Sequence, residues 1–327
     1  MTIAPATTDL PEWRPAVAQR PHLAEGPRSV VVLGKPTETN LALVATFTEL
    51  GGGGSRLADP AGPPRVGPGD VVLARLDVLP TLDGIERGLW DLPRLKRAGT
   101  HLLNGPVALT AAHDKLTTAL FLGRAGVEQP ATAYVRDDAT VPSFGPPYVV
   151  KPRFGSWGRD VHLCRDQDEL RRRLGQLAQR RWFRRQGALV QALIQPTGRD
   201  LRVLVAAGRV VGAIERHAAA GEWRTNVALG AERRRIDPPP DARSLALRAT
   251  AAIGIDLAGV DIAGDSAGRY VVEINGAVDF TPAYGDAVFA AASNALLELV
   301  SLRAGDAARA MRARCFPAGR IEVIPMS

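Results

Sequence analysis

Aromatic residues make up only 5% of this chain of 327 residues, and cysteine appears twice, as Cys164 and Cys315. Those two cysteines have neither CxxC spacing nor a neighbouring histidine cluster, which excludes a disulfide framework and a cysteine-type zinc site and fits a reducing cytoplasm. No run of 18 consecutive apolar residues occurs, so neither a membrane-spanning helix nor a membrane partner is expected. Residues 1–27 contain Pro5, Pro11, Pro15, Pro21 and Pro27 but no basic start followed by an apolar run. They read as a flexible proline-rich leader rather than a secretory signal. Three short motifs are also missing. Gly34 stands alone after the first apolar run, without the GxGxxG of a dinucleotide fold; no GxxxxGK[ST] loop is present; and no GxSxG elbow supplies a nucleophile.

What is there is ordinary globular composition, 46% hydrophobic and 23% charged. The length suggests two or three packed units. The formal charge of +7 accompanies abundant Arg, Ala, Gly and Pro, a pattern of coding bias, and nucleic acid is disfavoured as a partner. Alternating strand and helix signals over 28–111 predict an N-terminal α/β domain: strands at 29–33, 70–74 and 101–103, helices at 39–50 and 84–98, and a turn at Asn104-Gly105-Pro106. A helix over 113–126 opens a second unit, 112–187, with strands at 131–135, 148–151 and 161–164 and a helix at 168–181. A third unit, 188–302, carries strands at 188–194, 201–206, 210–215 and 270–274 and helices at 241–253 and 286–302. The pattern is antiparallel α+β. Residues 303–327 read as a tail without a core pattern.

Chemistry concentrates in four places. Lys151 ends an apolar strand and is followed by Gly155, Ser156 and Gly158. One cation and several backbone N–H groups could there surround a polyphosphate, although a hairpin with two glycines can equally be structural. The strand Gln191-Ala192-Leu193-Ile194 runs into a polar turn and then Asp200-Leu201-Arg202. That arrangement suits an adenine hinge beside anion-binding groups, or simply a surface ion pair. Glu215 and Arg216 should face opposite sides of their strand, and Asn226 adds an amide donor. Glu273 and Asn275, two apart, share one strand face, with Asp261 on a preceding strand able to pair beside them. Oxygen donors of this kind suit Mg²⁺; the plainer alternative is that Asp261 and Glu273 pair with arginines at a sheet end.

In order, these segments resemble the ATP-grasp superfamily, and within it the RimK/LysX-type amino-acid ligases. The resemblance runs over about 190 residues: Asp114-Lys115, VVKPRFGSWGR at 149–159, QALI at 191–194, GRDLRV at 198–203, VVGAIERHAAAGEWRTN at 210–226, GVDI at 259–262 and VVEINGAVDF at 271–280. It implies an ATP-grasp fold, α/β plus α+β, with two α+β subdomains clasping ATP. Lys115 and Lys151 would contact phosphates, the 155–158 loop would cover them, and Gln191 to Ile194 would form the adenine hinge beside Asp200. Arg202, Arg216 and Asn226 would surround the transferring phosphoryl group and the activated carboxylate, and Asp261, Glu273 and Asn275 would hold Mg²⁺, as one ion or two, with Mn²⁺ able to substitute. Ala192 departs from a frequent Glu, and Gly230-Ala231 from a common Gly-Gly.

The implied reaction is ATP-dependent amide formation through an acyl phosphate, joining an amino acid, with glutamate the first expectation, to a small-molecule or protein acceptor. A peptide-modifying or D-alanine–D-alanine-type ligase is the alternative within the superfamily. A nucleotide- or nucleic-acid-binding module without turnover is the non-enzymatic one. A homo-oligomer remains open.

Overall fold

Four branched or apolar residues in succession, Val30–Leu33, form β1 and are buried along their whole length, as a strand covered on both faces requires. In the computed structural model, residues 29–50, 54–137, 142–279, 282–285 and 287–315 are described; the proline-rich leader lies outside them. Strand β1, helix α1 (Glu38–Glu49), β2 (Arg56–Ala58), β3 (Val71–Ala74), α2 (Leu92–Arg97) and β4 (His101–Leu103) follow in chain order. The strands make a parallel sheet in the order β2-β1-β3-β4. The helix expected over 84–98 is split into a short 3-10 turn, Arg87–Trp90, and α2, with Pro93 in the first turn of α2.

The Asn104-Gly105-Pro106 turn is present, but an unforeseen helix, α3 (Pro106–His113), starts directly on it. Proline at the first helical position lacks only an N–H that would have no partner there anyway. Asn104 is fully buried and in a left-handed conformation, φ 58°. Its amide donates to Leu257 O and Gly276 O at 2.9 and 3.1 Å and accepts from the N–H groups of Asp256 and Leu257. Asp114 then leaves the helical region at φ −89°, ψ 99° and caps α4 (Lys115–Arg124) by accepting from Leu116 N. The single helix expected over 113–126 is therefore two helices meeting at Asp114.

Two antiparallel sheets complete the molecule. The first contains β5 (Thr132–Val135), β6 (Tyr148–Pro152), β7 (His162–Cys164) and β8 (Ala188–Ala192) in the order β5-β8-β6-β7, with α5 (Gln167–Leu177) and α6 (Arg181–Gln186) between β7 and β8. The second joins β9 (Arg199–Ala206), β10 (Arg209–His217), β11 (Glu232–Arg235), β12 (Leu257–Asp265) and β13 (Gly268–Asn275) in the order β11-β10-β9-β12-β13, with α7 (Pro240–Ile253) inserted before β12. The edge strands β2 and β11 have weak alternation and were not expected.

Helix α8 (Ala287–Cys315) continues well into the segment read as a tail. Its stretch Ala287–Ala304 has a mean hydropathy of 1.3 and is long and apolar enough to cross a membrane. However, Val288, Ala292, Leu296 and Val300 pack into the core with Leu204 and Ile214, and Glu298 pairs with Arg209 at 2.7 Å. This one-sided burial marks a core helix.

Candidate functional site

Ending the apolar strand β6 with a lysine places Lys151 between the two antiparallel sheets. The residue is 8% exposed, and its Nζ donates to Val272 O on β13 at 3.3 Å. Burial, reinforced by repulsion from Lys115, lowers its pKa to about 8. Lys115 arrives by another route. Asp114, while capping α4, also holds the Arg153 guanidinium in a two-pronged pair, and Lys115 N donates to Arg153 O at 3.0 Å. The start of α4 is thereby fastened to the loop after β6. Lys115 Nζ then reaches Gly155 O at 2.6 Å and Glu273 Oε1 at 2.9 Å.

The loop from Gly155 to Asp160 folds over this point. Trp157, Gly158 and Asp160 all have positive φ, 62°, 68° and 51°, a conformation that side-chain-bearing residues adopt at a cost. At Gly158 a Cβ would stand 2.9 Å from Asn226 Oδ1, so glycine is what lets this loop touch the 222–226 segment. Arg224 holds the contact, donating to Gly158 O at 3.2 Å while paired with Glu222.

Four charged residues, Asp200, Arg216 and Asp261 buried and Arg202 partly so, line the sheet beneath. Arg202 binds Asp261 through two hydrogen bonds of 2.7 Å; Arg216 pairs with Asp200 and also reaches Asp261 Oδ2 at 3.0 Å. Burial acts to raise the Asp261 carboxyl, but Arg202 and Arg216 outweigh it and hold it down at about 2. Asp200 has the opposite balance: burial outweighs Arg216 and raises it. The Asp261–arginine pairing anticipated as the plainer alternative is thus present. It does not exclude the metal reading, because Asp261 and Glu273 are direct register partners across β12 and β13, and Glu273 Oε2 has no hydrogen-bond partner among the described residues. Glu215 faces away from Arg216, beside Arg199.

Two adjoining cavities result. The larger, about 1070 Å³, collects Lys115, Lys151, Gly155, Ser156 and Gly158 from one side. Asp200, Arg216, Asn226, Asp261 and Glu273 line it from the five-stranded sheet, and Gln191, Ala192, Leu193 and Ile194 form its far end. The Gln191 side-chain amide donates to Thr132 Oγ1 at 2.8 Å, which leaves its backbone groups for a hinge. The smaller cavity, about 720 Å³, shares Ser156, Arg216, Asn226 and Glu273 with the first. Arg202, expected around the transferring phosphoryl group and the activated carboxylate, and Asn275, expected at Mg²⁺, open into this second space. Asp77, His113, Arg233 and Asp279 also line it. Asp77, His113 and Arg233 stood in no motif that could have singled them out, and Asp279, although within VVEINGAVDF at 271–280, was given no role.

The fold is that of ATP-grasp proteins. It superposes on a RimK-domain ATP-grasp protein from Sphaerobacter thermophilus with a TM-score of 0.62 at 20% identity, over 83% of this chain and 98% of that one. It also matches the D-alanine–D-alanine ligase of Bacillus anthracis with ATP, with a TM-score of 0.61 at 17% identity, over 87% of this chain and 99% of that one. Residues 112–293 match the RimK-like ATP-grasp domain, more than half the chain, and the protein belongs to that family. A curated relative, a probable alpha-L-glutamate ligase of Thioalkalivibrio sulfidiphilus, is 34% identical over 194 residues, 58% of this chain. The match spans 63% of that relative's length, a little under two thirds.

Proposed function

We propose that the protein is an ATP-dependent ligase that joins an amine to a carboxylate through an acyl phosphate. The observation that carries this reading is the meeting of Lys115, Lys151, Asp261 and Glu273 in the larger cavity, with Glu273 also lining the smaller one. There the end of a bound polyphosphate and a second substrate would come together. Gln191 to Ile194 would hold adenine, chiefly through backbone groups, and Lys115 and Lys151 the phosphates. Bound at Asp261 and Glu273, with Asn275 beside them, one or two Mg²⁺ ions, or Mn²⁺ in their place, would neutralise the phosphate charge. The hard oxygen donors of this set suit such ions.

In the reaction, a carboxylate oxygen takes the γ-phosphoryl group from ATP and ADP leaves. The amine nitrogen then bonds to the acyl carbon, phosphate departs, and the amine gives up a proton. No protein nucleophile is required. Positioning and positive charge do the catalytic work, and Arg202, Arg216 and Asn226 are the donors assigned to the transferring group. Glutamate is the amino acid we put first, on the strength of the relative's name; the acceptor is a small-molecule or protein carboxylate.

Incubation with ATP, Mg²⁺ and pairwise panels of amino acids and carboxylates should release ADP and phosphate only with a productive pair. Mass spectrometry should show a product joined with loss of water, and hydroxylamine should divert the acyl phosphate to a hydroxamate. ADP release without any joined product across broad panels would remove the ligase assignment.

A further inference from the structure

The smaller cavity has walls of opposite charge. Asp77 and Asp279 line it with no cation within ion-pairing distance among the described residues, and Asp77 uses one oxygen to accept from Val78 N at 2.7 Å. The backbone brings these acids together. Arg75, two residues before Asp77, donates to Val278 O, the carbonyl next to Asp279, and His113 stands beside the backbone of Leu76, next to Asp77. His113 is 6% exposed, and its Nε2 has no hydrogen-bond partner. A neutral imidazole carries one N–H, and with that proton on Nδ1 the Nε2 atom is a buried acceptor. Burial lowers its pKa to about 4, so the ring is neutral at pH 7. Arg233, on β11, lines the same cavity and has no ion pair among the described residues.

A buried acceptor without a donor is costly, and although Arg75 acts on both carboxylates and Lys35 on Asp77 through space, neither cation pairs with them directly among the described residues, which leaves carboxylate oxygens open to a charged donor. Burial raises the Asp77 carboxyl most; the Val78 N–H and Lys35 oppose the rise, and Asp279 and Glu273 add to it. A primary ammonium offers three donors and one positive charge, which would satisfy both needs. A second carboxylate in the same place would be repelled.

We infer that Asp77, Asp279 and His113 Nε2 form an ammonium-binding wall that selects one substrate by its free amino group, with Arg233 receiving an anionic group of that substrate. The inference rests on the ligase reading for the identity of the cavity, and it deepens that reading by naming a zwitterionic amino acid as occupant and the residues that choose it. Asp77, His113 and Arg233 lie outside the segments that carry the family resemblance, and Asp279 lies in the last of them, VVEINGAVDF at 271–280.

The test is calorimetric titration of the full chain, saturated with a non-hydrolysable ATP analogue and Mg²⁺. The probes are the twenty common L-amino acids and D-alanine, each compared with its N-acetyl derivative. At least one free amino acid should bind, and its N-acetyl form should bind about tenfold more weakly or worse, the scale of a lost charged hydrogen bond. Asp77→Asn and Asp279→Asn should each weaken the free amino acid by a similar factor and leave the nucleotide analogue unaffected. Arg233→Gln should weaken free and acetylated forms alike. Asp279→Asn keeps the question open to disproof should Asp77→Asn fail to fold. The wall is overturned if acetylated probes bind as well as free ones, if Asp279→Asn changes nothing, or if no amino acid binds to protein that holds the analogue. Failure of the analogue itself to bind would count against the ligase reading, and titrations without nucleotide would then still test the wall.

Discussion

The two faces of β9 differ in what they bury. Leu201, Val203 and Val205 point to one side and pack with Ala242, Leu245 and Ala249 of α7. Asp200 and Arg202 point to the other, among Arg216 and Asp261. Both faces are nearly inaccessible to water, yet the first gains free energy from burial and the second must offset the desolvation of four charges by pairing them. A β-strand alternates sides with every residue, so a single strand can serve a core and a charged site together. The contrast separates residues that hold the fold from residues that hold charge for a ligand.

The contrast can be broken most severely at the charged face. Asp200→Asn removes one carboxylate from Arg216 and should cost about 3 to 5 kcal/mol of stability, the scale for breaking a buried ion pair; a denaturant midpoint equal to wild type would mean the network is not coupled as its geometry indicates. Lys151→Ala should divide activity from stability instead. Turnover should fall roughly a hundred- to a thousand-fold, as when one preorganised donor is lost, with little change in melting temperature because a buried, poorly solvated cation is removed. Near-normal ADP release would unseat Lys151 from the phosphates.

The apolar face should show the reverse. Ile262→Val, on β12 and 1% exposed, should lose about 0.5 to 1.5 kcal/mol by the usual cost of one buried methyl and leave turnover unchanged well below the melting temperature. Changed turnover at full occupancy of the folded state would show that the two faces communicate.

Lys151 also sharpens the comparison through pH. Its pKa falls from 10.5 when free to about 8 in the fold, so between those values the unfolded chain binds more protons and stability from this group rises with pH. Nucleotide binding should run the other way. As Lys151 loses its charge above pH 8, affinity for an ATP analogue should fall several-fold, on the order of the loss of one charge-assisted contact. Lys151→Arg should flatten that decline in fluorescence titrations between pH 7 and 9.5.

The smallest effect is expected at the arginines from Arg171 to Arg185. Arg171, Arg181 and Arg185 are more than half exposed at the side chain; Arg171 pairs with Asp168 on its own helix, and Arg181 and Arg185 with Asp83 of the N-terminal unit. Neutralising several should leave turnover with small acceptors within error. A steep, salt-sensitive loss with an acidic protein acceptor would instead identify a docking surface.

Much of the element order was readable from residue pattern, because helical spacing and strand alternation are local signals. β1, α1, β3, β6, α7 and β13 fall within a few residues of their expected ends. The helix break at Asp114 was not readable. Asp114 leaves the helix because its carboxylate has two tasks, capping α4 and holding Arg153, and the second partner is 39 residues away. β11 was missed for a related reason: Glu232-Arg233-Arg234-Arg235 has no apolar alternation, and pairing with β10 alone makes it a strand.

The candidate site divides along the same line. The sequence by itself determined the residue types and their order: Lys151 at a strand end, the glycine loop, the arginines of β9 and β10, and the oxygen donors of β12 and β13. Tertiary structure decided which of them meet. It set Asp261 opposite Glu273 and between two arginines, turned Arg202 and Asn275 into the second cavity, and brought Asp77, His113 and Asp279 to one wall. Spacing along the chain fixes the side of a strand or helix on which a residue stands. Packing between elements distant in sequence fixes what that side faces, and the charges shared across those contacts exist only in the folded chain.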